Sequence, residues 1–197
     1  MADAPARRRR SGELLEAIRA AVLEELRERG YPGLTFEGVA RRAGTSKPVL
    51  YRRYGSRAEM AVDAFVSSRI ATPPADFAGP LREDLIALFQ GMLERIGPEG
   101  VQTFRGVVGE VDDATVARVG NLVLSQVEGW LGVILERARA AGEIGDAPVP
   151  LRVVRAIVAL MRNEVLFVYG AAQAPDVAGI VDEVVLPLLR VSTSHRA

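Results

Sequence analysis

The sequence predicts an all-α protein of about nine helices, a small three-helix unit at the front and a larger helical body behind. Three observations carry this. Apolar residues recur every three or four positions along most of the chain, no run alternates as a half-buried strand would, and Gly, Pro or Ser/Thr/Asp punctuate the periodic segments. With 49% hydrophobic and 25% charged residues in 197, the composition is that of a globular chain.

Residues 1–10 show no apolar period and carry Arg7–Arg10, so a flexible basic arm is expected there. Ser11 caps the first predicted helix, which carries Leu14, Ile18, Val22 and Leu26 at spacing four and stops at Gly30. Tyr31-Pro32-Gly33 is turn chemistry. Thr35 then caps a short helix with Phe36, Val39, Ala40 and Ala43 on one face, ended by Gly44. Ser46 opens the next, where Lys47 and Pro48 occupy the first turn and Leu50 and Tyr54 point inward. Gly55 stops it, and Ser56-Arg57-Ala58-Glu59 is a capping box that starts a fourth helix, ending before Thr72-Pro73-Pro74.

Further on, Gly79-Pro80 and Gly97-Pro98 bracket a fifth helix, and Val101 to Glu110 predicts a shorter sixth. Asp113 caps a long seventh that ends at Gly142. Leu151 begins an eighth that runs to about Gly170. The ninth carries Val177, Ile180, Val181, Val184, Val185, Leu188 and Leu189, and Pro187 inside it predicts a bend.

Charge divides the chain. Residues 1–60 hold 13 Arg plus Lys against 8 Asp plus Glu, and residues 61–197 hold 12 against 17, so a head of +5 precedes a body of −5. A basic head points to a polyanionic partner. The stretch Thr35–Arg57 supplies the rest of that reading: two short helices joined by a tight turn. Hydroxyls lie at the helix starts, and Lys47, Tyr51, Arg52 and Arg53 lie on the second helix. A major groove ~12 Å wide accepts one such helix, with phosphates seated at the helix N-termini.

Enzyme chemistry has little to use. His195 is the only histidine and there is no cysteine, which leaves no His-based triad, thiolate or Cys/His metal site. No Gly-rich phosphate loop is present, and no stretch approaches the ~20 apolar residues of a membrane span. The expected protein is therefore not an enzyme, needs no cofactor or metal, does not enter a membrane and is cytoplasmic.

Thr35…Val39-Ala40…Ala43-Gly44-Thr45-Ser46…Leu50-Tyr51…Tyr54…Ser56-Arg57…Glu59-Met60 resembles the N-terminal signature of TetR-type regulators. Thr45 stands where valine is usual, Tyr54 where phenylalanine is commoner, Arg57 where lysine is usual, and Pro48 where glycine or alanine is frequent. The resemblance implies a helix-turn-helix DNA-binding domain over 11–56, a connecting helix over 57–72, and an effector-binding and dimerisation domain over 73–197. It further implies a homodimeric transcriptional regulator, usually a repressor, that leaves a palindromic double-stranded operator when a small-molecule effector binds. By the same carry-over, Thr35, Thr45, Ser46, Lys47, Pro48, Val49, Tyr51, Arg52, Arg53 and Arg57 match DNA-contacting positions.

Two weaker expectations concern the body. Large apolar groups at Phe89, Met92, Phe104, Trp130, Met161 and Phe167, with Gln126 and Asn163 as polar handles, are candidate lining for a mostly apolar effector. The stripes of the last two helices, Leu151, Ile157, Val158, Val177, Ile180, Val181, Val184, Val185 and Leu188, are the candidate dimer seam. The alternative function is a DNA-binding or protein-recruiting factor that responds to no ligand.

Overall fold

A computed structural model describes residues 4–69, 71–108, 110–164 and 175–194. Among them the regular structure is helical: α1 Ala4–Arg29, α2 Phe36–Arg42, α3 Lys47–Tyr51, α4 Arg57–Arg69, α5 Leu81–Val108, α6 Asp113–Ala140, α7 Leu151–Asn163, α8 Val177–Ile180 and α9 Leu186–Thr193. A one-turn 3-10 helix, Tyr31–Gly33, joins α1 to the segment before α2. The chain divides into two compact units. The head comprises Met1–Ala71 and Gln102–Val119, the body Thr72–Val101 and Gly120–Ala197.

That division begins the body at Thr72, beside the expected start at residue 73, but gives a later segment to the head. Residues 102–119 belong with the head, where Val107 is buried in the core and Val111 packs against it. A break inside α5 makes the return possible, because Gly97 takes φ 61° and ψ 172°, a backbone state that suits a residue without Cβ. Gly97 thus separates two helices within Leu81–Val108, as the Gly97-Pro98 pair predicts. The start of α1 also differs from expectation. It lies at Ala4 rather than Ser11, since alanine and arginine propagate a helix readily and Pro5 falls in its first turn, where a proline is tolerated.

In the head, Ile18, Val22 and Leu26 of α1 are buried against Leu34, Val39, Leu50, Tyr54, Met60, Ala61 and Ala64. Each large side chain removed from water contributes on the order of 1.5–3 kcal/mol, which is what short α2 and α3 rely on. Below this layer lies a charged tie. Glu25 of α1 is fully buried, accepts from Arg42 Nε at 3.0 Å, and shares that arginine with Glu28, whose Oε2 is 2.5 Å from Nη2. Gly38 makes room for it: a Cβ there would lie 2.6 Å from Glu25 Oε2.

The body core gathers Leu85, Leu88 and Phe89 of α5 with Leu131, Ile134 and Leu135 of α6. Ile157 and Met161 of α7, then Val177, Val181, Val185 and Leu189 of the last helical stretch, complete it. Between α8 and α9 the helix widens into a π-helical turn, Val181–Val185, directly ahead of Pro187. The ring of Pro187 would crowd the carbonyl of Glu183 and has no N–H to give it, and the wide turn relieves that crowding. The start of α5 is fastened from afar. Leu81 N donates to the Glu143 carboxylate at 2.9 Å, while buried Asp84 accepts from Gly79 N at 3.0 Å and Arg137 Nη1 at 2.8 Å.

The connection after α6 closes against α9. Gly145 N donates to Thr193 Oγ1 at 3.0 Å, and a Cβ on Gly145 would lie 2.2 Å from the Thr193 carbonyl oxygen. Backbone cannot yield as a side-chain tip can, so Gly145→Ala is expected to cost the body about 1–3 kcal/mol. A chemical-denaturation midpoint equal to the unsubstituted chain's would show that the contact is looser than this geometry.

Candidate nucleic-acid interface

The interface is built on α2, the turn after it, and α3. Thr35 is the N-cap of α2, its Oγ1 accepting from Gly38 N at 3.1 Å. The turn rests on Gly44 at φ 61°, and Thr45 N returns a hydrogen bond to Ala40 O at 3.0 Å. Ser46 occupies the N-cap position of α3 with its hydroxyl free of any capping bond, and Pro48 fits the first turn. Thr35, Ser46, Lys47, Pro48, Arg52 and Arg53 are exposed, and Thr45 and Val49 are half-buried.

Tyr51 is the unusual residue, 60% exposed although it is large and aromatic. Its ring stacks on Phe36 of α2, centroids 4.3 Å apart and planes 18° from parallel, which holds the phenol outward on a rigid base. Lys47 on the same helix pairs with Glu37 at 2.7 Å. Each partner's hydrogen bond shifts the other, the lysine up and the glutamate down, from their usual ranges. Both groups lie in solvent, where such a pair contributes little.

Behind α3, Tyr54 and Leu50 are buried. Tyr54 OH donates to Asp63 Oδ2 at 2.7 Å, and Arg19 grips the same carboxylate through Nε at 3.1 Å and Nη2 at 3.0 Å. Burial pushes the Asp63 carboxyl up, but the bonds from Arg19 and Tyr54 outweigh it and hold it below the usual carboxylate range. One carboxylate therefore joins α1, the end of the reading helix and α4.

Arg57 is placed differently from the other expected contacts. Its Nε and Nη2 donate to Glu110 at 3.0 and 2.5 Å, its Nη1 to Pro32 O at 3.3 Å, and its guanidinium lies 4.8 Å from the Tyr31 ring centre. Tyr31 OH donates to Glu110 Oε2 at 2.8 Å. The bonds from Arg57 and Tyr31 push the Glu110 carboxyl down to about 2, while burial and then Glu110 push the Tyr31 phenol up to about 12. Sequence reasoning missed Glu110, Tyr31, Asp63 and Glu25. None lies in the two-helix motif, and the Tyr31–Glu110 contact spans 79 positions.

The expected effector lining comes together only in part. Phe89 and Met161 are buried in the body core, and Met92 and Trp130 pack against it. Gln126 is half-buried, Asn163 is exposed, and Phe167 falls outside the described residues. Phe104 is corrected: it is 42% exposed and belongs to the head segment, because α5 has passed its kink by then. A cleft of about 330 Å³ does occur in the head, between Arg19, Arg53, Tyr54, Glu59, Asp63 and Arg118. Its charged lining is unsuited to a mostly apolar ligand.

The expected dimer seam is corrected as well. Ile157, Val177, Val181 and Val185 are buried in the chain's own core, in one cluster with residues of α5 and α6, and have little surface left to offer. Val184 and Leu151 are exposed at 45% and 53%, Val158, Ile180 and Leu188 are half-buried, and Val191, not anticipated, is 76% exposed.

Comparisons with known proteins agree with this architecture. The model of "Bacterial regulatory proteins, tetR family" matches residues 18–64, and that of "Tetracyclin repressor-like, C-terminal domain" matches 75–184. An uncharacterized HTH-type transcriptional regulator of Mycobacterium tuberculosis is 30% identical over 178 residues, covering 88% of this chain and 87% of that one. A counterpart in Mycobacterium bovis is similar to the same extent. Among solved structures, the TetR family transcription regulator SCO0332 has 26% identity and a TM-score of 0.64, covering 89% of this chain and 96% of its own. The transcriptional regulator FadR of Bacillus subtilis, solved with stearoyl-CoA, has 17% identity and a TM-score of 0.61, covering 91% and 98%.

The Glu110 ties also make a pH prediction. A carboxyl depressed in the folded chain stabilises it above its unfolded range, near pH 4.5, and that contribution is lost as pH falls toward about 2. Circular-dichroism melts should show the head losing stability across that window, with Glu110→Gln flattening part of the slope. An unchanged slope in the variant would mean that other carboxylates carry the acid transition.

Proposed function

The chain belongs to the TetR family and is a DNA-binding transcriptional regulator of the helix-turn-helix type, and from this premise we propose that it acts as a homodimeric repressor released from a palindromic operator by a small, mostly apolar ligand. The observation that carries the DNA half is Tyr51, held outward on Phe36 beside Lys47, Arg52 and Arg53. An aromatic that costs solvation yet is rigidly supported is suited to a partner surface, and the neighbouring cations suit phosphates. Two-fold pairing would set two reading helices about one DNA turn (~34 Å) apart on one face.

The body supports the other half of the reading. Val184, Leu188 and Val191 recur at helical spacing and, with Leu151 of α7, leave apolar surface uncovered within one chain. For the effector, the apolar character of the body core and the stearoyl-CoA held by the Bacillus subtilis regulator make long-chain acyl thioesters the first probes.

The test is to select DNA from a random pool with the wild-type chain and measure its affinity against salt. Affinity should fall steeply with salt as counterions are released, and Tyr51→Ala and Lys47→Ala should each reduce binding about tenfold or more while melting as the wild type does. Unchanged affinity in both variants would place the reading surface elsewhere. For the seam, Val184→Glu should convert dimers to monomers in analytical ultracentrifugation, and a variant that stays dimeric would exclude the α9 face.

A further inference from the structure

We propose that Arg57 is a positioning residue for DNA binding rather than a phosphate contact: with Tyr31 and Glu110 it forms a latch that closes the helix-turn-helix segment at both ends. The inference rests on the DNA-binding reading above and adds residues that the motif does not contain.

Three observations carry it. First, the guanidinium is spent: Nε and Nη2 lie on the Glu110 carboxylate, Nη1 on Pro32 O, and one face on the Tyr31 ring. A phosphate would have to displace a two-pronged charged pair and a stacked ring together. Second, the latch has a particular place in the chain. Tyr31 and Pro32 lie just before α2 and Arg57 begins α4, so one carboxylate receives bonds from both flanks of the reading unit. The bond from Arg57 to Pro32 O joins those flanks directly across 25 positions.

Third, the surroundings are shaped for it. Tyr31 is 4% exposed and lies against α5, where a Cβ on Gly106 would come within 2.4 Å of its ring, so its hydroxyl is delivered to Glu110 from a fixed base. Neither α2 nor α3 is long enough to hold an orientation alone. Whatever fixes their flanks fixes how Tyr51 and Lys47 are offered to DNA.

The experiment compares Arg57→Gln, Glu110→Gln and the double variant with wild type on a duplex the wild type has selected. Affinity is measured across a salt series well below each melting temperature. The latch predicts that both single variants lose roughly tenfold in affinity, that the double is no worse than either single, and that the salt slope is unchanged. Three results would overturn it. A slope lower by about one in Arg57→Gln alone would make Arg57 a phosphate contact. Tighter binding by Glu110→Gln would make Glu110 a competitor of DNA. Unchanged affinity with a lowered melting temperature would make the cluster a purely structural tie. Failure of the wild type to select any duplex would instead refute the DNA-binding reading itself.

Discussion

A reading helix of five residues cannot keep its own shape in water, and the rest of the head is arranged around that constraint. Leu50 anchors α3 by burial, and Tyr54, three residues past its last turn, is tied to Asp63. Asp63 is itself held by Arg19, so α1 and α4 both act on α3 through one side chain. Removing that carboxylate would leave a buried phenol without its acceptor and Arg19 with only Glu16 of its own helix. Such groups cost more when orphaned than their bond is worth when made.

The electrostatics of the head follow a related logic. The net charge of +5 over residues 1–60 overstates what is available to a partner, because Arg19, Arg42 and Arg57 are already matched by Asp63, Glu25 with Glu28, and Glu110. Arg52 and Arg53 remain exposed on the reading side, with Lys47 in a solvent-exposed pair. The acidic residues thus sort the cations, some into framework and some into surface. A buried carboxylate such as Glu25 adds little net stability but penalises any packing that would strip it of Arg42.

How much of this was legible depends on the range of the interaction. Caps, turns and apolar spacing are local, and Thr35 as N-cap, Gly44 at positive φ and the buried Leu50 and Tyr54 follow from residues a few positions apart. The break at Gly97 was visible too, but not that the chain beyond it joins the head. Apolar periodicity says which face is buried, not against what. This is why Val177, Val181 and Val185 read as a seam when they fill their own core. Family resemblance carried Arg57 to DNA because it records a position, whereas the partner that claims the side chain, Glu110, lies 53 residues away.

The placement of the aromatic residues has a spectroscopic consequence. The chain's one tryptophan, Trp130, packs against the body core, while the described tyrosines, Tyr31, Tyr51 and Tyr54, all belong to the head. Emission excited at the indole band therefore reports on the body, and phenol signals among these residues report on the head. Tyr51 is exposed and Tyr31 and Tyr54 are hydrogen-bonded to carboxylates, so solvent perturbation would separate the reading residue from the framework. The unmodified chain thus carries its own label for following the body.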